Sequence, residues 1–336
     1  MSQIINYQPS YYDRLLAFYK RNWEEENNKE YLDYRLFKAP IHSSDVEKNL
    51  LAINDDDDVV GCFLFLPAKA TICGEEHTIY WGHDMLIEKD YRGDLGAELF
   101  IKSGKLKPIF SQGLSPISQK INKRIKTNFI AQTTGYYIFN WWSVKILLYK
   151  LGVTPKTTDL KVIPNKIKVK GDVFELVKHA EDVSIPDDGY WNKGELDIEL
   201  NRGIDFLKHR FFEHFNKYYF YQKKNSDKKS YFVFRKIVTK NIPTIRIVDF
   251  RYDQDDFGEY LKIIRAVNKV AIKNRIPLVS TRSTISDRKI RFCPPVLRSE
   301  TKSDVTINLR DIESPSILVT LADSDMDMYI LRKNDV

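Results

Sequence analysis

Two short stretches constrain this chain more than anything else in it. YLDYRLF at 31–37 and FLKHRFF at 206–212 share the order aromatic, Leu, two variable residues, Arg, apolar, Phe. Each is followed by two strand-like runs around a polar turn, NLLAINDDDDVVGCFLF in the first half and YYFYQKKNSDKKSYFVF in the second. Each then reaches a strand carrying an aspartate, TIYWGHDML or TIRIVDFRY, and after it a helical run, LGAELFIKSGKLK or FGEYLKIIRAVNKVA. The offset stays near 165–175 residues and the order is the same, so the chain is expected to hold two copies of one unit. Arg35 and Arg210 fall at matching positions, which favours a shared structural ion pair over two substrate sites.

A length of 336 residues gives two domains of ordinary size, each able to bury a core. The expected division is a first copy over 1–151, a polar, proline-bearing linker over 152–172 and a second copy over 173–336. Within the first copy the apolar spacing predicts a short strand at IINY, helices over 11–23 and 29–37, and a meander of strands through NLLAIN, VVGCFLFLPAKAT and TIYWGHDMLI. A helix to about Lys105, a strand near PIFSQGL, a helix over 115–125 and two strands near 129–133 and 136–139 complete it. The fold class expected is α/β in the α+β sense: a mixed, mostly antiparallel sheet flanked by helices, twice over.

Hydrophobic residues make up 43% and charged residues 29%, a globular balance, and no apolar run reaches the roughly 18–20 residues of a membrane span. The N-terminus has neither the basic start nor the apolar core of a signal peptide. Cys62, Cys73 and Cys293 lie far apart, and His209 and His214 are five apart, on different faces of a helix, so no metal site is expected. These features predict a cytoplasmic protein without metal, and leave its oligomeric state open. The net charge of +7 is compatible with an anionic partner. No zinc finger, helix-turn-helix or aromatic RNA-binding pattern accompanies it, which argues against nucleic acid and for a small polyanion.

The stretch with most chemistry in it is DMLIEKDYRGDLGAELF, 84–100. A strand passes through a charged turn with Gly93 and Gly96 into a helix. Glycines let successive N–H groups converge on a phosphate without a Cβ in the way, and the helix start adds its own donors and positive dipole end. Arg92 supplies a further charge-assisted contact. The alternative is an ordinary tight turn before a capped helix, with Asp94 as a cap that competes for the same donors. At the matching place the second copy reads VDFRYDQDDFGEYL, with one glycine and four aspartates, which would repel a phosphate.

The meander followed by LIEKDYRGDLGAEL resembles the GNAT superfamily of acyl-CoA-dependent N-acyltransferases. Tyr91, Arg92 and Gly93 fall where many members carry Tyr-Arg-Gly, and Leu95, Gly96 and Ala97 match the later part of that signature. The turn is one residue shorter and lacks the family's middle glycine. The resemblance implies acetyl-CoA as co-substrate, held by the backbone of Leu86 and Ile87 and by Arg92, Gly93, Asp94, Leu95, Gly96 and Ala97. It further implies a base for the amine on the preceding strand, His83 or Asp84, which alternation would place on opposite faces. The stretch SPISQKIN puts Ser115 at the family's asparagine and Asn122 at its thiolate-protonating tyrosine; Asn122 can hydrogen-bond a thiolate but not protonate it. Tandem members similar to this chain occur with bacterial surface-polysaccharide genes, which implies a nucleotide-linked amino sugar as acceptor. A FemABX-like aminoacyl transferase and a non-catalytic binding module with a decayed cofactor loop stay open as alternatives.

Overall fold

The computed structural model describes residues 2–22, 28–38, 43–106, 108–113, 119–120, 128–153, 160–192, 195–224, 229–239, 241–252, 256–285, 296–308 and 315–323. The chain forms two compact units. The first holds residues 1–131 and 303–315, the second 132–302 and 316–336. The division therefore does not fall at 152–172. Residues 166–169, within the expected linker, form a strand with Ile167 and Val169 buried, because KIKV alternates apolar and charged positions at the strand period.

In unit 1, β1 (Gln3–Asn6), β2 (Leu50–Ile53), β3 (Val59–Ile72), β4 (Glu75–Ile87), β5 (Ile109–Gln112) and the end of β14 (Val296–Ile307) lie side by side in that order. All neighbours are antiparallel except β4 and β5. β3 is a mostly apolar run that turns into β4 at Cys73 and Gly74, whose positive φ values of 51° and 88° make the two-residue hairpin. Helices α1 (Tyr12–Asn22) and α2 (Asn28–Phe37) precede the meander, and α3 (Asp94–Ser103) follows β4. One face of the sheet, with Phe63, Phe65, Tyr80 and Ile109, packs with Leu95, Leu99 and Phe100 of α3.

Unit 2 repeats the plan. Its strands run β6 (Asn128–Phe139), β13 (Leu278–Ser283), β12 (Ile242–Arg251), β11 (Tyr231–Thr239), β10 (Tyr219–Lys223), β8 (Asp172–Val177) and β7 (Lys166–Val169). Here too one pair is parallel, β12 with β13. A short strand β9 (Ile198–Leu200) precedes the helical segment Ile204–Leu207, and after β6 comes α4 (Lys145–Lys150). The long α5 (Phe257–Lys273) buries Ile263, Val267 and Val270 in one core with Phe232, Phe234 and Ile247.

The chain exchanges one strand in each direction. β6 leaves the N-terminal copy to pair with β13, and β14 leaves the C-terminal copy to pair with β5. β6 is also one strand where the sequence suggests two. Thr134 and Gly135 read as a turn, yet they pair in register with Ser283 and Arg282 and stay extended. The predicted helix over 115–125 lies largely outside the described residues. Among those described, no helix is long and apolar enough to cross a membrane.

Candidate functional site

The parallel pair of unit 1 is short. β4 and β5 are in register at Tyr80↔Ile109 and Trp81↔Phe110, and β4 then runs on from Gly82 to Ile87. Gly82 sits where the strands part. A Cβ there would lie 3.1 Å from the Phe63 ring and 3.3 Å from Ser111 Oγ, so a side chain would push into both neighbours. From Gly82 onward β4 is paired to β3 on one side only among the described residues. A strand edge of this kind presents N–H and C=O groups that an extended, amide-bearing ligand can pair with.

A bulge interrupts the ladder at the same place. Cys62 pairs with Leu86 and Leu64 with His83, so two residues, Asp84 and Met85, stand against Phe63 alone. Asp84 takes up φ of 38°, the left-handed region that aspartate enters more readily than most residues. The bulge breaks the alternation that would have set His83 and Asp84 on opposite faces. His83 shares the face of Leu64 and Cys62, and the Asp84 carboxylate reaches Tyr19 and Tyr31 on that same side.

That carboxylate is fully buried. It accepts hydrogen bonds from the Tyr19 hydroxyl at 2.9 Å and the Tyr31 hydroxyl at 2.5 Å, and pairs with Arg35 at 3.4 Å. Arg35 is thus an ion-pair partner of Asp84, while the matching aspartate of the second copy, Asp249, pairs with Arg202 and Arg251 and not with Arg210. Burial, with the Asp84 charge second, pushes the Tyr19 hydroxyl well above its ordinary value, and the same two causes raise the Cys62 thiol. His83 is 3% exposed on the strand beside it. Nothing in the sequence alone links Tyr19 and Tyr31 to Asp84, since the three come from α1, α2 and β4.

The two glycines of the turn have different reasons. Gly93 is the cap of α3 with φ of 121° and ψ of −120°, a conformation closed to side chains, and its Cβ position faces open space. Gly96 is buried, and a Cβ there would meet Ile87 Cδ1 at 3.0 Å, so its smallness lets α3 lie on the end of β4. Asp94 is the first helical residue and not the cap, and no side chain caps α3. Arg92 is exposed at the helix mouth and donates through Nε to the Ile87 carbonyl at 3.3 Å. Leu95 is buried in the core, Ala97 is half-buried, and Leu86 and Ile87 close β4. Turn and strand end are therefore brought together. Ser115 and Asn122 lie outside the described residues.

In unit 2 the corresponding helix start is filled. Asp256 caps α5 by accepting from the Glu259 amide at 3.2 Å. The buried Glu259 carboxylate accepts from Ser230 Oγ at 2.8 Å, Lys223 Nζ at 3.1 Å and Lys262 Nζ at 3.2 Å. Carboxylates already occupy the donors and cations that an anion would need there.

No family model and no curated protein matches the sequence. Solved structures do match the fold. A GCN5-related N-acetyltransferase from Anabaena variabilis superposes with a TM-score of 0.57 at 13% identity, over 91% of this chain and 72% of that one. An N-myristoyltransferase from Saccharomyces cerevisiae, solved with bound myristoyl-CoA and inhibitors, gives 0.60 at 11% identity over 91% and 80%. A probable N-acyltransferase from Enterococcus faecalis gives 0.56 at 11% identity over 91% and 72%. At these identities the likeness establishes the fold: the mixed, mostly antiparallel α/β arrangement of the GNAT class.

Proposed function

We propose that the protein is an acyl-CoA-dependent N-acyltransferase whose N-terminal copy holds the cofactor. The observation that carries this is the parting of β4 from β5 at Gly82, directly before an uncapped helix start reached through Gly93. The edge of β4 at Leu86 and Ile87 suits the amides of a pantetheine arm once Arg92, which donates to the Ile87 carbonyl, turns to the phosphates. The turn Arg92–Ala97 and the start of α3 suit its pyrophosphate. Asp94 adds a carboxylate at that mouth, so the phosphates are held by backbone N–H groups and Arg92 with Asp94 turned outward. Solved proteins of this fold include one with myristoyl-CoA bound, which supports a CoA thioester as co-substrate; acetyl-CoA is the acyl donor proposed.

The acceptor proposed is an amine on a nucleotide-linked sugar, whose negative charge suits a chain of net charge +7. His83 or Asp84 takes the amine proton as nitrogen attacks the thioester carbonyl. The tetrahedral intermediate then expels the thiolate, with Ser115 and Asn122 as its hydrogen-bonding partners and solvent as proton source. The C-terminal copy, with its helix start closed, shapes the acceptor site or supports the fold. The test offers acetyl-CoA with nucleotide-linked amino sugars and follows release of free thiol. Release is expected with these acceptors and not with polyamines or peptides. The opposite preference would refute the sugar reading, and no release with any amine would refute acyl transfer.

A further inference from the structure

The segment after β6 gives unit 2 an apolar surface that nothing else among the described residues covers. Its base is fixed. Asn140 caps the turn Trp141–Val144, accepting from the Trp142 amide at 2.9 Å, while its own amide donates to Ser143 Oγ at 3.1 Å. Asn140 Nδ2 donates to the Ile276 carbonyl at 2.9 Å, Trp142 Nε1 to Ile272 at 3.1 Å and Ser143 Oγ to Pro277 at 2.8 Å. From this anchor, on the chain that leaves α5, the segment runs on through α4. It exposes Trp141 (70%), Val144 (75%), Leu147 (66%), Leu148 (49%), Leu151 (74%) and Val153 (52%). Single exposed apolar side chains are ordinary; six within thirteen residues on one short helical segment are not.

Charge identifies what such a face meets. Residues 99–158 contain ten lysines and arginines and no aspartate or glutamate. The rest of the chain is therefore net negative by three, since the whole carries +7. Lys145 and Lys150 lie in α4 itself, and Lys145 and the exposed Arg275 flank the inward-turned Trp142 at 4.5 Å and 5.6 Å from its ring. Apolar residues with a terminal tryptophan and only basic charge are the composition of a helix that lies in a lipid interface.

We infer that this face docks on an anionic lipid bilayer, with the six apolar side chains entering the headgroup–acyl boundary and Lys145, Lys150 and Arg275 at the level of the phosphates. Two other occupants fit less well. Single-stranded nucleic acid is bound by stacking on aromatic rings, and five of the six exposed residues are aliphatic. A second copy of the chain across a two-fold axis would set this segment, whose only charges are Lys145 and Lys150, against itself, lysine near lysine. The inference does not depend on the acyltransferase reading.

Co-sedimentation of the full chain with vesicles tests it. Binding is expected to phosphatidylcholine vesicles containing phosphatidylglycerol, weakening as salt is raised, and not to phosphatidylcholine alone. Leu147→Glu with Leu151→Glu should abolish it while the circular dichroism and thermal unfolding stay those of the wild type, because both residues are exposed. Lys145→Gln and Lys150→Gln should each weaken binding about five-fold, the equivalent of about 1 kcal/mol per basic residue at such a surface. The inference is overturned if the wild type does not sediment with anionic vesicles, or if the double glutamate variant sediments as well as the wild type. It is equally overturned if the wild type forms a dimer that the same variant dissolves, or binds single-stranded RNA and not vesicles.

Discussion

Asp249→Ala is expected to destabilise the second unit by about 3–5 kcal/mol, the usual cost of removing one partner from a buried ion pair. Asp249 is completely buried and is the centre of a charged cluster. It pairs with Arg202 Nε at 2.9 Å and Arg251 at 2.9 Å, and accepts from the Tyr231 hydroxyl at 2.7 Å and Thr320 Oγ1 at 2.7 Å. Asp323 also bonds Arg202, and its other oxygen accepts from the Thr320 amide at 2.7 Å. Without Asp249 two buried guanidiniums would share the single carboxylate of Asp323. Chemical denaturation followed by circular dichroism measures the loss. A change below about 1 kcal/mol would show that water or Asp323 compensates and that the cluster is not central to the fold.

The same cluster sets an acid limit. Burial alone would raise the Asp249 carboxyl, but Arg202 and then Arg251 outweigh it and hold it at about 2, below its ordinary value of 3.8. A depressed carboxyl contributes stability above its unfolded value and loses it as pH falls through the folded one. The contribution of Asp249 should therefore be intact near neutrality and fade between about pH 4 and pH 2. In Asp249→Asn that part of the acid dependence should be missing.

For catalysis, replacing the true base is expected to lower kcat by about 10²–10⁴-fold and to shift the basic limb of the pH–rate profile. The two candidates are distinguishable by their surroundings. Asp84→Asn takes a negative charge from beside the buried Arg35, so it should cost stability as well as any rate. His83→Ala leaves the Asp84 cluster with its donors from Tyr19 and Tyr31 and removes the packing of one buried ring, so a large fall in kcat with a smaller loss of stability than in Asp84→Asn would mark His83 as the base. Unchanged turnover in both variants would leave positioning and solvent as the catalyst and both residues as structural.

Much of this architecture is legible in the sequence because it is repeated and periodic. The β-β-β-α order of each copy, the meander and the two aspartate-bearing strands follow from alternation and spacing. What is not legible depends on contacts distant in sequence. A residue at positive φ in the middle of β4 looks like any other strand residue, so alternation misplaces Asp84 relative to His83. The exchange of β6 and β14 leaves no local mark, since a strand's own residues do not say which sheet edge it joins. The matching of Arg35 with Arg210 holds only in sequence. Arg35 pairs with Asp84, whereas Asp249 is served by Arg202 and Arg251, and Arg210 donates to the Ala322 carbonyl and the Tyr218 hydroxyl. The turn at Gly93 was readable because only glycine fits there, while Gly96 proves to serve packing against Ile87.

Calorimetric titration of coenzyme A into the wild type, Gly93→Val and Asp256→Asn tests whether the N-terminal copy holds the cofactor. One molecule is expected to bind per chain. Binding should weaken at least about 100-fold in Gly93→Val, because a β-branched residue cannot hold φ of 121° and the N–H groups of the turn would no longer converge. Thermal unfolding of that variant should remain cooperative, since the position faces open space. Binding should persist in Asp256→Asn, which alters only the helix start of the other copy. No heat of binding to the folded wild type, or full binding by Gly93→Val, would contradict it.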